Sequence, residues 1–437
     1  MRMNRRHFLM SAAAGAAGMT LRADEKKKAP PSERLRVGVI GVGGQGQFSW
    51  SQLHAIKEAE VVALCDVHEQ MAAKARETFP HASFDADFRK LLDRKGLDAV
   101  VVATPDHTHA VATVAALKSG LHVYCEKPLT HDVFEARTVA ETAKKMKRVT
   151  QMGTQIHAGD NYRRVVELVQ SGAIGTVGEV HAWVPTTYGG GDRPKGSEPV
   201  LPGLNWDLWL GTAPERPFFH GARPEQRGVY LPFNWRKWWD FGGGALADMA
   251  CHYVDLPFWA LKLRHPTRIH AEGSPKPHPE TAAFSTIVKY DFPARGDLPA
   301  VNLTWYDGGK QPAYLKEHGI TGWNAGVLFV GSKGALLADY GRRKLLPEKD
   351  FANFKALEPF IANSVGHHRE WVEACRNGGT TTCNFDYSGA LTEAVLLGVV
   401  SYRCGEALEW DAAKLKVTNT TAADAFLRRE YRKGWSL

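Results

Sequence analysis

The stretch Gly41-Val42-Gly43-Gly44-Gln45-Gly46 constrains this 437-residue chain more than any other. It fits Gly-x-Gly-x-x-Gly, follows an apolar run at 35–40 that reads as a buried strand, and opens a helix predicted over 45–57. Asp66 ends the next apolar run, 61–65. Glycines in this pattern let backbone approach a pyrophosphate held at a helix N-terminus, and Asp66 can accept from a ribose 2′-hydroxyl. Gly41, Gly43, Gly46 and Asp66 are therefore the expected dinucleotide contacts. A carboxylate there repels a 2′-phosphate, and neither Val67 nor His68 is a permanent cation to receive one. NAD is expected rather than NADP. Taken alone, the motif could also be a tight turn in an α/β protein that binds no nucleotide.

The pattern continues as expected of such a fold. Further strands are predicted at 99–103, 122–125 and 149–152, with helices through 77, over 108–118 and over 132–147. The last helix opens on the capping box Asp132-x-x-Glu135. Continuous apolar strands alternating with helices imply a doubly wound parallel (Rossmann) sheet, covered on both faces, over 35–152. Beyond it, a helix at 161–171 leads into a strand-rich region with predicted strands at 179–184, 267–272, 284–292, 300–306, 326–330 and 335–340. Several alternate apolar with polar residues, as in Ser285-Thr286-Ile287-Val288-Lys289-Tyr290, which favours a large open, mainly antiparallel sheet. Helices are expected at 245–261, 363–377 and 387–404, making 153–437 an α+β domain for substrate and oligomer contacts. The long Pro/Gly/Trp-rich segment between Tyr188 and Trp239 has little period, and so many aromatics imply a functional or interfacial role.

Ahead of the sheet, Asn4-Arg5-Arg6-His7-Phe8-Leu9-Met10 and the Ser/Ala/Gly stretch after it resemble a bacterial twin-arginine export signal over 1–23, followed by a linker at 24–34. That predicts a periplasmic or extracellular protein, with the twin-arginine translocase as its partner during export. Arg2, Arg5, Arg6 and Arg22 of this leader make up half of the formal charge of +8. No basic block with interleaved aromatics remains, so nucleic acid is not expected as a partner. A composition 44% hydrophobic and 23% charged is that of an ordinary globular protein, and no apolar run is long enough for a membrane span. The six cysteines show neither a Cys-x-x-Cys pair nor metal-ligand spacing, so no metal and no functional disulfide are expected.

Two further stretches sit where the third and fourth major strands end, the edge at which open α/β sheets place ligands. One is Ala103-Thr104-Pro105-Asp106-His107-Thr108-His109 and the other Glu126-Lys127-Pro128-Leu129. Lys127 lies at a rigid lysine–proline turn; on spacing alone it is equally a surface lysine in a loop. A third element runs from Gly242 to Asp255. Asp248 and His252 stand four apart on one helical face, with Asp255 nearby. Such a carboxylate can fix an imidazole's tautomer for proton abstraction, though Asp/His pairs on helices also serve as caps or core polar pairs.

Together these motifs resemble the Gfo/Idh/MocA oxidoreductase family, the group of glucose–fructose oxidoreductase and inositol dehydrogenase, over about residues 35–410. The resemblance implies Lys127, Asp248 and His252 as the catalytic set. It places Thr104, Pro105, His109 and Glu126 with the glycine turn at the cofactor. Two departures stand out: Gly153-Thr154-Gln155-Ile156-His157 replaces the Gly-Phe-Asn-Arg stretch of many members, and the Trp-rich insertion is longer than in simple polyol dehydrogenases. Gln155, His157, Tyr253, Asp255, Trp206 and Trp235 are the candidate substrate contacts, with core or subunit packing the alternative for the tryptophans. The implied activity is NAD-dependent hydride transfer to or from a hydroxyl carbon of a sugar, polyol or sugar derivative. An alternative is NAD-dependent glycoside cleavage by transient oxidation, elimination and re-reduction, as in glycosidase family 109. It needs one more acid or base, for which His109, His157, Tyr188 and Tyr253 are the candidates. A non-catalytic sugar-binding homologue is the third reading. The open second sheet suggests a homodimer or homotetramer.

Overall fold

The apolar runs of the first third pair into a parallel sheet in the computed structural model, which describes residues 34–223, 227–355 and 358–437. The leader and nearly all of the linker lie outside the described residues. The strands are β1 (Leu35–Ile40), β2 (Ala59–Cys65), β3 (Ser83–Asp85), β4 (Ala99–Val102), β5 (His122–Cys125) and β6 (Thr150–Met152). Their order is β3-β2-β1-β4-β5-β6, so the chain reverses direction of travel beside β1, opening a crevice at the strand C-termini. Every residue of β4 is buried, as a strand covered on both faces requires.

The second sheet has nine strands: β7 (Val177–Trp183), β8 (Arg268–Ser274), β9 (Ser285–Phe292), β10 (Val301–Tyr306), β11 (Gly326–Gly331), β12 (Gly334–Ala338), β13 (Arg343–Leu346), β14 (Leu408–Asp411) and β15 (Lys416–Val417). Only β7 and β10 pair in parallel; the other neighbours are antiparallel. The short strands β3, β13, β14 and β15 carry no distinct apolar run or period in the sequence. The helix expected at 245–261 is two, Gly244–Tyr253 and Asp255–Ala260. Pro257 has no N–H to give the Tyr253 carbonyl, so the chain turns at Val254.

The long helix Phe385–Cys404 joins the halves. Its Glu393, 1% exposed, accepts from Arg137 of the helix Val133–Met146 at 2.8 Å and from the Trp410 indole at 3.1 Å. The Trp-rich segment folds back over the crevice. Leu204 bridges His68, Asn205 N–H donates to Val67 O at 2.8 Å, and Glu69 N–H donates to Gly203 O at 2.9 Å. Asn205 also caps the helix Trp206–Leu210 by accepting from Leu208 N–H. Trp209, Phe218, Tyr230, Trp235, Trp238 and Phe241 form this roof's own apolar core. Most of its aromatics are thus explained by burial rather than by ligand contact.

Candidate active site

A cavity of about 730 Å³ lies between the strand C-termini and the roof, bordered by the glycine turn, Asp66, Thr104, Pro105, Glu126 and Lys127 below and by Trp209, Phe233, Trp235 and Arg236 above. Gly41 adopts φ of +82°, and a Cβ at Gly46 would sit 1.9 Å from the Gly41 carbonyl oxygen. The turn therefore leaves its backbone bare beside the N-terminus of the helix Gln45–Ala55, as a pyrophosphate requires. The Asp66 carboxylate accepts from Val42 N–H and His68 N–H, both at 2.9 Å, which holds it across the turn. Burial raises its pKa, and those amides partly offset the effect. Burial also lowers the His68 pKa, which disfavours a charged imidazole next to Asp66.

Glu126 borders the same cavity. Its Oε1 accepts from Gln155 Nε2 at 2.9 Å, while Oε2 has no hydrogen-bond partner among the described residues. Burial pushes its pKa up to about 7, against the attraction of Lys127. A bare glycine cradle, a ribose-facing carboxylate and an unpaired buried acceptor together fit NAD. Pro105 precedes the helix Asp106–Lys118, turning that helix N-terminus into the cavity.

Beside this cradle, Lys127 lies in a cis Lys127–Pro128 peptide immediately after β5. Its ammonium donates to Asp248 Oδ1 at 2.6 Å and to the Asp248 carbonyl at 3.0 Å. The same carboxylate accepts from Arg236 Nε at 3.0 Å and from the Tyr188 hydroxyl at 2.9 Å. Burial alone would raise the Asp248 pKa; the Lys127 and Arg236 charges and their hydrogen bonds instead hold it far below the usual carboxylate range. Asp106 also borders the cavity, at 2% exposure. Burial drives its pKa well up, opposed by Arg236 and Lys127 and reinforced by Asp248. Charge pairing thus favours the ionised form of Asp248, while burial favours the neutral form of Asp106.

The expected roles separate here. Asp248 does not orient the His252 ring as expected, because its oxygens are taken by Lys127, Arg236 and Tyr188. His252 stands one turn along the helix and, like Asp248, lies behind Lys127 rather than among the residues bordering the cavity; its Nδ1 is unpartnered among the described residues, and burial, then the Lys127 charge, lower its pKa to about 3. It is a neutral imidazole. His109 does not border the cavity. Its ring nitrogens lie 2.8 Å from the Pro128 and Thr104 carbonyl oxygens, so it staples the two loops that present Thr104 and Lys127. His157 and Asp255 pair with each other at 2.9 Å, 1% and 0% exposed, under the stacked Trp259 ring and a Tyr387 hydrogen bond. They are a core pair rather than a substrate contact. Cys383 lies with them in a cluster spanning 4.8 Å, but the carboxylate's acceptors are already occupied. Tyr253 stacks on Tyr340 at 4.9 Å, and Trp206 stacks on Trp209 at 4.8 Å within the roof, so neither faces the cavity. Of the six candidate substrate residues, Trp235 borders the cavity directly and Gln155 acts through Glu126. Tyr188, one of the candidate acids or bases, is held here as a donor to Asp248. Asp106 and Arg236 are site residues to which only the stretches they lie in point.

Residues 35–154 match the profile of an oxidoreductase family with an NAD-binding Rossmann fold, and residues 161–298 match that family's C-terminal alpha/beta domain. The chain belongs to the Gfo/Idh/MocA oxidoreductase family. An α-N-acetylgalactosaminidase from Shewanella oneidensis is 29% identical over 201 residues, covering 40% of this chain and 44% of that protein. An inositol 2-dehydrogenase from Rubrobacter xylanophilus is 34% identical over 154 residues, 35% of this chain and 44% of that protein. The chain thus matches under half the length of these curated relatives. The WlbA dehydrogenase of Bordetella pertussis, solved with NADH and UDP-GlcNAcA, superposes at a TM-score of 0.61. That match covers 87% of this chain and 98% of that one at 17% identity, a likeness of fold.

Proposed function

We propose that this protein is an NAD-dependent oxidoreductase acting at a hydroxyl-bearing carbon of a sugar, polyol or sugar derivative. The observation that carries the reading is Lys127, an ammonium pinned by Asp248 at the edge of a cavity shared with the glycine cradle. Bound NAD supplies the acceptor and donor of hydride. Lys127 gives a hydrogen bond to the reacting oxygen and stabilises negative charge there. His252, one helical turn beyond Asp248, accepts the hydroxyl proton, and the roof covers one side of the cavity.

One feature favours a second reading, NAD-dependent glycoside cleavage. Asp106 borders the cavity and burial favours its neutral form, which suits the further acid that such chemistry needs at a departing glycosidic oxygen, and the Shewanella relative is a glycosidase. Export by the twin-arginine route, proposed from the leader, supports both readings in one respect: outside the cytoplasm no free NAD pool turns the cofactor over, so each cycle must return it to its starting state. The exposed Lys289 and Asn302 on the second sheet leave part of one face uncovered, which supports a homodimer or homotetramer built on that face.

The test is the 340 nm absorbance of the purified full chain before and after sugars and glycosides. Reduction by one sugar and reoxidation by a second establishes the oxidoreductase. Release of free sugar from a glycoside without net absorbance change establishes the glycosidase. Lys127→Ala and His252→Ala should each lose at least about 100-fold in kcat with NAD still bound; loss of NAD from both would overturn these roles.

A further inference from the structure

The cavity continues past Asp66 to Ala86, Asp87 and Phe88, just after β3, and its border there is completed by a residue far away in sequence, Trp435. The Trp435 and Phe88 rings lie 6.1 Å apart, and the Arg89 guanidinium sits 4.9 Å from the Trp435 ring centroid. A nucleotide whose pyrophosphate rests on the glycine turn and whose ribose meets Asp66 can send its base along the cavity toward this aromatic end. A purine offers a flat π-face, and aromatic side chains are the groups that bind such a face.

The segment carrying Trp435 is tied down on both sides of the crevice. Arg429 donates to Glu135 Oε1 at 3.0 Å and Tyr431 to the same oxygen at 2.5 Å, anchoring it to the Rossmann helices. Arg432 donates from Nε to the Gly211 carbonyl at 3.2 Å and pairs with Asp207, anchoring it to the roof helix Trp206–Leu210. Glu135 is 1% exposed, so the Arg429 and Tyr431 contacts to it are charge-assisted and shielded from water, whereas Asp207 is exposed.

We propose that Trp435, with Phe88, forms the adenine-binding end of the dinucleotide site, and that the segment 428–437 is a clasp that retains the cofactor by joining the Rossmann half to the roof. The proposal rests on the nucleotide-site reading and extends it to a residue outside both family-matched regions. It also explains how the chain could hold NAD through a catalytic cycle that has no pool to draw on.

The experiment measures displacement of labelled NAD from the full chain by unlabelled ADP-ribose and, in parallel, by nicotinamide mononucleotide. In Trp435→Ala the affinities for NAD and ADP-ribose should fall about 5- to 150-fold, the range for losing one base–aromatic stack, while that for nicotinamide mononucleotide stays the same. Trp435→Phe should restore most of the loss, and circular dichroism reports whether each variant is folded. Unchanged ADP-ribose affinity in folded Trp435→Ala overturns the clasp alone. Equal losses for ADP-ribose and nicotinamide mononucleotide overturn it as well, since they indicate a general loosening. A wild-type chain that binds neither NAD nor ADP-ribose overturns the nucleotide reading and the clasp together.

Discussion

Replacing Asp248 by Asn removes a charge that three donors share. Lys127, Arg236 and Tyr188 all point at this carboxylate, and the Lys127 and Asp248 side chains are only 12% and 6% exposed. An Asn oxygen still accepts from Lys127, but its amide NH2 confronts a second donor, and two cations are left close together with no counter-charge. Removing one partner of a buried ion pair costs about 3–5 kcal/mol, and the retained hydrogen bond places this case near the lower end. With an unfolding entropy of about 2.1 cal/mol/K per residue over 437 residues, about 3 kcal/mol lowers Tm by roughly 3–4 °C. The pH dependence gives a second check. The folded Asp248 pKa lies well below the unfolded value, so its stabilisation is fully present above about pH 4 and is lost as pH falls through the folded value. The gap between wild type and Asp248→Asn should therefore be constant from neutral pH down to about 5 and narrow below about 4. Thermal unfolding followed by circular dichroism, with kcat in parallel, measures both. A Tm within about 1 °C of wild type at pH 7 and an unchanged kcat would refute the shared-carboxylate arrangement.

Gly46→Ala should abolish copurification of NAD while leaving a folded chain, because its Cβ would sit 1.9 Å from the Gly41 carbonyl and force the turn open; nucleotide content after denaturation reads this directly. Asp106→Asn should reduce kcat by about 100-fold or more with NAD retained, if its proton is used in the reaction. Full activity in that variant would assign Asp106 to structure alone. Glu126, with its pKa raised to about 7, binds more protons folded than unfolded between about pH 4.3 and 7. Stability of the nucleotide-free chain should therefore fall as pH rises through that window, and Glu126→Gln should flatten part of the slope in Tm against pH. Asp307 and Asp132, also raised by burial, to about 6 and about 8, account for slope that persists.

The Rossmann half was legible in the sequence because its signals are local. A buried strand, a glycine turn and a helix N-terminus lie within a few residues of one another, and the strand that ends at Asp66 follows directly. The turn at Lys127 and the helical spacing of Asp248 and His252 were readable for the same reason. What each side chain meets was not. Lys127 and Asp248 stand 121 positions apart, and which donors crowd that carboxylate depends on how Arg236 and Tyr188 arrive from the roof. A four-residue spacing puts Asp248 and His252 on one face of a helix, yet a buried carboxylate is claimed by the nearest cations, and those came from other segments. His157 and Asp255 looked like site residues by type, and burial turned them into a core pair. Trp435, at the opposite end of the chain from β3, reaches the cavity through salt bridges and hydrogen bonds spanning some 290 residues of sequence. Backbone conformation follows from neighbours along the chain. Desolvation, charge pairing and the shape of a cavity follow from neighbours in space, and the full fold is what brings those together.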